Sequence, residues 1–413
     1  MRINTEGRMV LGVILALLIA NHGMAVDGGF GSGTVVVAIS GSNSDPLGDP
    51  GIAPLTLAEF TTTGLATGFH VALPTADTPV ASGTNYAMAG SQSATSIYGA
   101  LKRSADGRFL TISAANVPAA TVSGSLPGGV FGSASFQNRT IARIDADGTV
   151  DATTRFIARG TTPRGAASTD GTAIWWSADS GTLDAGGVRY LTLGGTVAGP
   201  QLTGVGLSTD SRSNTTGIGI FSDQLYVAYN VSTFRGVYAL GSGLPVSGGP
   251  LVASTIVGGT SVTDFFFANP ETLYVAVSGT DPTMVGLGLQ KWAFSSQSQT
   301  WSNVWTQNPA GALGIRTLTG SVVDGTVNLY AITLAGTSAS IPNALLGVTD
   351  TLGGVAFPGG GFSTLATAEP STLFRGVALA PVPEPTTAAL VAGAIGASLI
   401  ARCRGNKGSP LVS

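Results

Sequence analysis

The stretch Phe374-Arg-Gly-Val-Ala-Leu-Ala380, close to the C-terminal end of the sequence, decides the fold. It follows the last of a series of strand-rich units, yet its pattern is that of a strand that opens a unit. The same pattern is found in Pro163-Arg-Gly-Ala-Ala167, which precedes an Asp170-Gly171 turn and a second strand. We name the opening strand a and the strand after the turn b. The strand-rich region therefore ends with a surplus strand a, which must belong to another unit.

Strand b is rich in β-branched and aromatic residues and recurs along the chain. Five copies follow a turn with an acidic residue. Three of these turns contain Asp-Gly, which suits a tight hairpin because its central residues need positive φ. The six copies begin near residues 35, 109, 174, 225, 273 and 328. Third strands with alternating apolar positions follow near residues 55, 141, 190, 237, 289 and 345, and a fourth strand leads on to the next unit.

The first copy of strand b, Val35-Val-Val-Ala-Ile-Ser40, has no strand a before it. The surplus strand at 374–380 would complete that unit and close a ring without an exposed sheet edge. The intervals between b strands are near or above the ~40–50 residues of a four-stranded propeller blade. The sequence therefore predicts an all-β fold, a six-bladed β-propeller over residues 26–381. One alternative is a seven-bladed ring with a degenerate blade between residues 35 and 109. Another is a β-helix, which Gly and Thr richness also suits although its repeats are shorter.

The composition limits the function. The chain has 413 residues, of which 60 are glycine; only 10% are charged, and the formal net charge is −3. With 19 Lys and Arg residues, it lacks the clustered positive charge that nucleic-acid binding needs. An apolar content of 43% excludes bulk disorder, which requires high charge and little to bury. We therefore expect a globular body with no nucleic-acid partner.

Cysteine and histidine are too few for most metal and nucleophile chemistry. The single cysteine is Cys403, and the two histidines are His22 and His70. A structural zinc site takes about four N or S ligands, so we predict no metal site, no catalytic residues and no cofactor. The acidic stretch Asp145–Asp151 is similar to part of a calcium loop, but the remaining EF-hand ligands are missing. We interpret it as a hairpin turn, and His70 as a residue on the fourth strand of the first blade.

The N-terminus is typical of an export signal. Two arginines precede an apolar run from Val10 to Ala20, which is too short to span a bilayer. Small residues then occupy the positions that a signal peptidase reads. We predict a signal peptide over residues 1–25, cleaved between Ala25 and Val26.

The C-terminus carries a three-part segment over residues 382–413. Its parts are the motif Val382-Pro383-Glu384-Pro385, an uncharged run over 386–401, and a basic flank of Arg402, Arg404 and Lys407. Sixteen helical residues rise roughly 24 Å. We therefore expect the run to insert into a membrane, with the basic flank at the cytoplasmic face.

This segment resembles the PEP-CTERM sorting signal of Gram-negative bacteria. The resemblance implies that an exosortase-type processing enzyme recognises Pro383-Glu384-Pro385 during export, often alongside exopolysaccharide production. It also implies transient inner-membrane anchoring through residues 386–401. The expected destination is the cell surface, the outer envelope or the extracellular matrix.

One arginine pattern suggests a ligand site. Arg164, Arg316 and Arg375 fall in the predicted innermost strands of three blades. In matching register they would form a positive ring suited to a carboxylate or sulfate group. The alternative is that each pairs with an acid of the neighbouring blade. The tryptophans are expected to fill space between blades rather than to stack on sugars; they are Trp175, Trp176, Trp292, Trp301 and Trp305.

Together these features predict an exported surface or matrix protein with a non-enzymatic structural or binding role. Extracellular polysaccharide is a candidate partner. The alternatives are a secreted propeller enzyme, such as a glycan lyase or hydrolase using Asp, Tyr and Arg, and a protein-binding adhesin. The scarcity of histidine and lysine counts against the enzyme. The fold alone does not choose, because propellers host many functions.

Overall fold

The computed structural model describes residues 28–41, 52–91, 98–118, 137–158, 160–180, 186–202, 204–205, 214–231, 234–248, 251–279, 284–334 and 342–384. Their regular elements are β-strands, β1–β28 in chain order. Among these residues no helix has the length and apolar character needed to cross a membrane. Several predicted features lie outside the described residues: the signal peptide with its Ala25–Val26 cleavage site, Pro385, the run 386–401, and the basic flank Arg402, Arg404 and Lys407.

Six sheets form the blades of a ring, and each runs from an inner strand a to an outer strand. Blade 1 contains β28 (Thr372–Leu379), β1 (Val35–Gly41), β3 (Leu55–Phe60) and β4 (Ala66–Ala72). Blade 2 contains β8 (Lys102–Arg103), β9 (Leu110–Ala115), β10 (Asn138–Ile144) and β11 (Val150–Ile157). Blade 3 contains β12 (Thr161–Ser168), β13 (Ala173–Ser180) and β14 (Gly187–Thr192).

Blades 4 to 6 follow the same order from the channel outward. Blade 4 contains β16 (Thr215–Phe221), β17 (Gln224–Val231), β18 (Phe234–Leu240) and β19 (Leu251–Gly258), with β15 (Gly204–Val205) parallel to β19. Blade 5 contains β20 (Val262–Asn269), β21 (Thr272–Val277), β22 (Gly288–Ser295) and β23 (Thr300–Gln307). Blade 6 contains β24 (Ile315–Val323), β25 (Thr326–Thr333), β26 (Ala344–Thr351) and β27 (Ser363–Thr367). Two short pairs lie outside the blades: β2 (Ile52–Ala53) with β7 (Gly90–Ser91), and β5 (Thr78–Val80) with β6 (Gly83–Asn85).

Blade 1 closes the ring by joining the two ends of the described chain. Strand β28 pairs antiparallel with β1, from Val35 opposite Leu379 to Gly41 opposite Thr372. Each inner strand also contacts the inner strands of both neighbouring blades. The six-bladed ring and its closure by residues 374–380 are therefore confirmed, and the β-helix alternative is wrong. The described chain between β4 and β8 forms the β5–β6 hairpin and β7 rather than a seventh blade.

Local sequence places the b strands well. The observed b strands β1, β9, β13, β17, β21 and β25 each begin within two residues of the predicted start. The glycines of the three Asp-Gly turns have φ of 77–79°, the left-handed conformation that such turns require. These glycines are Gly107, Gly171 and Gly325.

Blade 3 departs from the predicted four strands. Among the described residues beyond β14, its fourth position is reduced to a single bridge between Arg189 and Gln201. The residue before Gln201 is Pro200, which has no N–H to donate to a ladder. The glycine-rich stretch leading to it further weakens strand pairing.

The hydrophobic core consists of separate clusters between adjacent blades. Side chains of consecutive strand residues point to opposite sheet faces, so one b strand serves two interfaces. In β13, Trp175 packs against blade 4, whereas Trp176 packs against Phe156 of blade 2 with ring centroids 4.9 Å apart. Trp305 is likewise buried between blades 5 and 6. The predicted space-filling role is confirmed for Trp175, Trp176 and Trp305, whereas Trp292 and Trp301 are partly buried against the cluster between blades 4 and 5.

Candidate functional site

The three predicted arginines occupy equivalent positions around the channel. Five inner strands contain an equivalent β-bulge against their b strand, at which one residue is skipped in the pairing; β20 has a second bulge further along, at Ala268. The skipped residues are Arg164 in β12, Thr216 in β16, Thr263 in β20, Arg316 in β24 and Arg375 in β28. A bulge increases strand twist and re-aims the extra side chain. Because the bulge recurs at the equivalent position of each strand, these five side chains lie at the same height along the channel axis, which we call one level of the ring.

The two threonines of this level join neighbouring blades. The Thr216 hydroxyl donates to the Val262 carbonyl at 2.6 Å, and the Thr263 hydroxyl donates to the Ile315 carbonyl at 2.9 Å. In both cases the acceptor is the residue just before the next bulge. Blades 4 and 5 thus contribute neutral, satisfied groups, whereas blades 6, 1 and 3 contribute the guanidinium groups. We call Arg164, Arg316 and Arg375 the arginine cluster.

The arginine cluster is buried. Arg316 and Arg375 are each 1% exposed, and the side chain of Arg164 is 11% exposed. Burial, followed by the positive charges of Arg375 and Arg164, lowers the pKa of Arg316 well below its usual value. Burial lowers the pKa of Arg375 to about 10. Arginine retains its proton in proteins. The cluster therefore brings positively charged guanidinium groups together where little water reaches them.

Asp179 supplies a compensating charge to one member of the cluster. Nη2 of Arg164 donates to Oδ2 of Asp179 at 2.9 Å, but Asp179 lies on β13 of the same blade rather than on a neighbour. In the described part of the chain, Nε and Nη2 of Arg316 have no hydrogen-bond partner. Tyr98 lies beside the cluster: its phenol raises the pKa of Arg316 and Arg375, and its ring centre is 6.0 Å from Cζ of Arg164.

A second charged contact crosses the channel below the cluster. Lys102 of blade 2 forms an ion pair with Asp264 of blade 5, on the opposite side of the ring. The Asp264 carboxylate also accepts from the backbone N–H of Leu318 at 3.0 Å. Asp264 follows the bulged Thr263 directly, so the ion pair lies next to the level of the arginines. Beyond it, residues of all six inner strands line a cavity of about 220 Å³, with Phe221 and Phe265 in its wall.

Sequence reasoning did not identify Tyr98, Asp179, Lys102 or Asp264. None of these four residues belongs to a motif whose spacing in the sequence would point to a site. Lys102 and Asp264 are 162 residues apart in the sequence, and their contact depends on the ring placing blades 2 and 5 opposite each other. The bulges also carry no common local signal: Gly follows the skipped residue at Arg164, Thr216 and Arg375, but not at Thr263 or Arg316.

The remaining candidate positions behave as ordinary structure. Asp145 begins the hairpin turn between β10 and β11, where Gly148 N–H donates to its carbonyl at 3.1 Å. Partial burial, followed by the neighbouring Asp147, raises the pKa of Asp145 to about 6. His70 lies exposed on β4. Both the hairpin-turn interpretation and the placement of His70 are confirmed.

The described part of the predicted sorting motif, Val382 to Glu384, lies against blade 2. The backbone N–H of Val382 donates to the Gly107 carbonyl at 2.9 Å, and the Glu384 carboxylate contacts Arg108. Pro383 lies between these two contacts. The body of the propeller thus directs the chain after β28 along the β8–β9 turn.

The sequence matches no protein-family model and no curated protein sequence. Among solved structures, a candidate 6-phosphogluconolactonase from Bacteroides fragilis matches with a TM-score of 0.46 at 13% identity, covering 82% of this chain and 84% of that one. The periplasmic gluconolactonase of Pseudomonas aeruginosa matches with a TM-score of 0.42 at 12% identity, covering 84% and 100%. A chain of a nidogen/laminin complex matches with a TM-score of 0.45 at 13% identity, covering 85% and 100%. At this level of similarity, the named activities of these proteins carry no inference about this chain.

Proposed function

We propose that this chain is an exported β-propeller that binds an anionic ligand through the arginine cluster. Its role is that of a non-enzymatic binding component of the cell surface, outer envelope or extracellular matrix. The observation that carries the proposal is Arg316, which is 1% exposed and has two side-chain nitrogens without a hydrogen-bond partner among the described residues.

An anion would relieve an unfavourable arrangement. Burying an ionised group without a partner costs several kcal/mol, and Arg164 and Arg375 add like-charge repulsion at Arg316. A guanidinium presents paired N–H donors that match the two oxygens of a carboxylate or sulfate. The ligand class that fits is therefore a molecule with one such group, for example a uronate or sulfated sugar of an extracellular polysaccharide.

The strongest test removes one charge from the cluster. The melting temperature of the wild-type protein is expected to rise as sodium sulfate or sodium glucuronate is added. At a ligand concentration of 100 times the Kd, the free energy of unfolding should increase by about 2.7 kcal/mol. Arg316→Met should lose this rise. Its ligand-free melting temperature should increase, because replacing a buried, uncompensated charge by an apolar side chain of similar length is often stabilising.

Two controls separate binding from general salt effects. Sodium chloride at the same ionic strength reports charge screening, and Arg235→Met removes an exposed arginine of β18 that lies outside the cluster. Equal responses of wild type and Arg316→Met to sulfate and glucuronate would show that the cluster is not the anion site.

A glycan lyase or hydrolase is the second candidate, and the phenol of Tyr98 beside the guanidinium groups favours it. Incubation with a uronate-containing polysaccharide distinguishes the two roles. Fragment release that disappears in Tyr98→Phe would replace the binding role by an enzymatic one.

Export and sorting form the other half of the proposal. They rest on the resemblance of residues 382–413 to the PEP-CTERM signal and on the predicted signal peptide. Replacing Pro383 and Glu384 together by Ala should leave the 386–401 run intact but block processing, so that precursor accumulates in the inner membrane. Glu271→Ala, an exposed acid in the body of the propeller, is the matched control.

The mature C-terminus, determined by mass spectrometry, reports the outcome of the sorting test. If the double variant is processed like the wild type, or if residues 402–413 remain on wild-type surface material, the exosortase assignment is wrong.

A further inference from the structure

A groove at the seam between blades 6 and 1 is lined by uncharged residues, in contrast to the positively charged arginine cluster. Its volume is about 620 Å³, within the roughly 300–1,000 Å³ typical of ligand sites. Its walls come from β24 to β27 on one side and from Gly33, Thr62 and Leu379 on the other. None of the described residues that line it carries a charge.

Short polar side chains form the rim of the groove. They are Thr62, Ser321, Asn328, Thr349 and Ser363. The Thr349 hydroxyl donates to Oδ1 of Asn328 at 3.2 Å, which fixes the orientation of the amide. The two N–H donors on Nδ2 of Asn328 are then available to a ligand, since no described residue accepts a hydrogen bond from them. The rim thus offers neutral donors and acceptors from both blades.

The floor of the groove is apolar. Tyr330 is 6% exposed, and Leu365 of β27 and Leu379 of β28 pack in the same core cluster between blades 6 and 1. The groove is open at Gly360 and Gly361, where an added Cβ would meet no atom within 4 Å. An apolar floor below a ring of hydroxyl and amide groups complements a sugar, which presents C–H groups on its face and hydroxyls along its edge.

The absence of charge from the lining decides the ligand class. A phosphate, a uronate or a peptide terminus would enter without a counter-ion, and burying an unpaired charge is costly. We propose that this groove is a second ligand site, independent of the arginine cluster, which binds a neutral oligosaccharide. Because the groove spans the closing blades, where Tyr330 of blade 6 bonds to Thr62 of blade 1, the bound sugar stabilises ring closure.

The test compares neutral and charged sugars by isothermal titration calorimetry, using cellohexaose, mannohexaose and a glucuronate-containing oligosaccharide as probes. At least one neutral hexasaccharide should bind the wild type. Asn328→Leu should weaken that binding about tenfold or more, because it removes a donor and an acceptor at almost constant volume. The neutral probe that binds should also raise the melting temperature of the wild type.

Thr306→Val is the matched control, since it removes an exposed hydroxyl from β23 of blade 5, outside the groove. Arg316→Met should bind the neutral sugar as the wild type does, which separates this site from the arginine cluster. The inference is overturned if neither neutral hexasaccharide binds, or if Asn328→Leu binds as tightly as wild type. It is equally overturned if Arg316→Met alone abolishes neutral-sugar binding, or if the groove binds an extended peptide along β27 instead.

Discussion

Deleting residues 374–381 should convert a cooperatively melting propeller into a chain that aggregates. The comparison uses two proteins that both begin at residue 26, one ending at Leu373 and the other at residue 381. The shorter protein retains two residues of β28 and loses most of the ladder that pairs β28 with β1. It also loses Phe374 and Val377, which are 3% and 1% exposed and pack in the core between blades 6 and 1.

The size of this effect follows from the backbone. Each buried backbone group left without a partner costs roughly 1–3 kcal/mol. In the shorter protein, several backbone groups of β1 lose their hydrogen-bond partners. The total is comparable to the roughly 5–15 kcal/mol by which folded domains are stable. The exposed β1 edge is moreover a template for association with another chain.

The protein ending at residue 381 should fold almost as well as the full-length propeller. It loses the hydrogen bond from Val382 and the contact between Glu384 and Arg108, and exposed ion pairs contribute little to stability. A thermal melt with light scattering measures both proteins. Equal melting temperatures and equal solubility would mean that β28 does not hold the ring closed.

Replacing Lys291 by Met should cost about 3–5 kcal/mol, because it leaves the carboxylate of Asp350 buried without its counter-ion. Lys291 and Asp350 are 1% and 4% exposed, and Nζ lies 2.9 Å from Oδ2. The ammonium also donates to the carbonyl oxygens of Thr351 at 2.6 Å and Gly354 at 2.8 Å. This network joins β22 of blade 5 to β26 of blade 6.

A double variant tests the cause of the loss. Tyr274 donates its hydroxyl to Oδ2 of Asp350 at 2.7 Å, so Asp350→Asn keeps an acceptor there while removing the charge. Lys291→Met combined with Asp350→Asn should therefore recover much of the stability lost by Lys291→Met alone. Urea denaturation provides the measurement, with Arg235→Met as an exposed control. A double variant no more stable than the single one would mean that packing around Lys291, rather than the unpaired carboxylate, explains the loss.

Much of the fold is predictable because its signals are local. Hairpin turns such as Asp324-Gly325 mark where one strand ends and the next begins, and alternation along each strand marks two buried faces. The number of blades follows from counting these units. Ring closure follows from one further local fact, that residues 374–380 have the pattern of an opening strand while Val35 lacks one before it. Blade 3 departs from the count at Pro200, where the loss of a backbone donor interrupts the outer strand.

The candidate site is predictable only in part. The pattern of inner strands places Arg164, Arg316 and Arg375 around the channel, but no motif common to all three marks the bulge that brings them to one level. Arg164 forms an ion pair with Asp179 of its own blade, and the predicted alternative, pairing with acids of neighbouring blades, stays a prediction.

Strand order, turn positions and the closing strand are thus properties of short segments, which is why the amino-acid sequence alone specifies them. The contacts between Lys102 and Asp264, between Lys291 and Asp350, and across the seam groove join residues of different blades. Such contacts depend on which blades face each other and on the register of each sheet. Ring closure determines both the facing blades and the sheet registers. It joins residues that are too far apart in the sequence for any local pattern to predict.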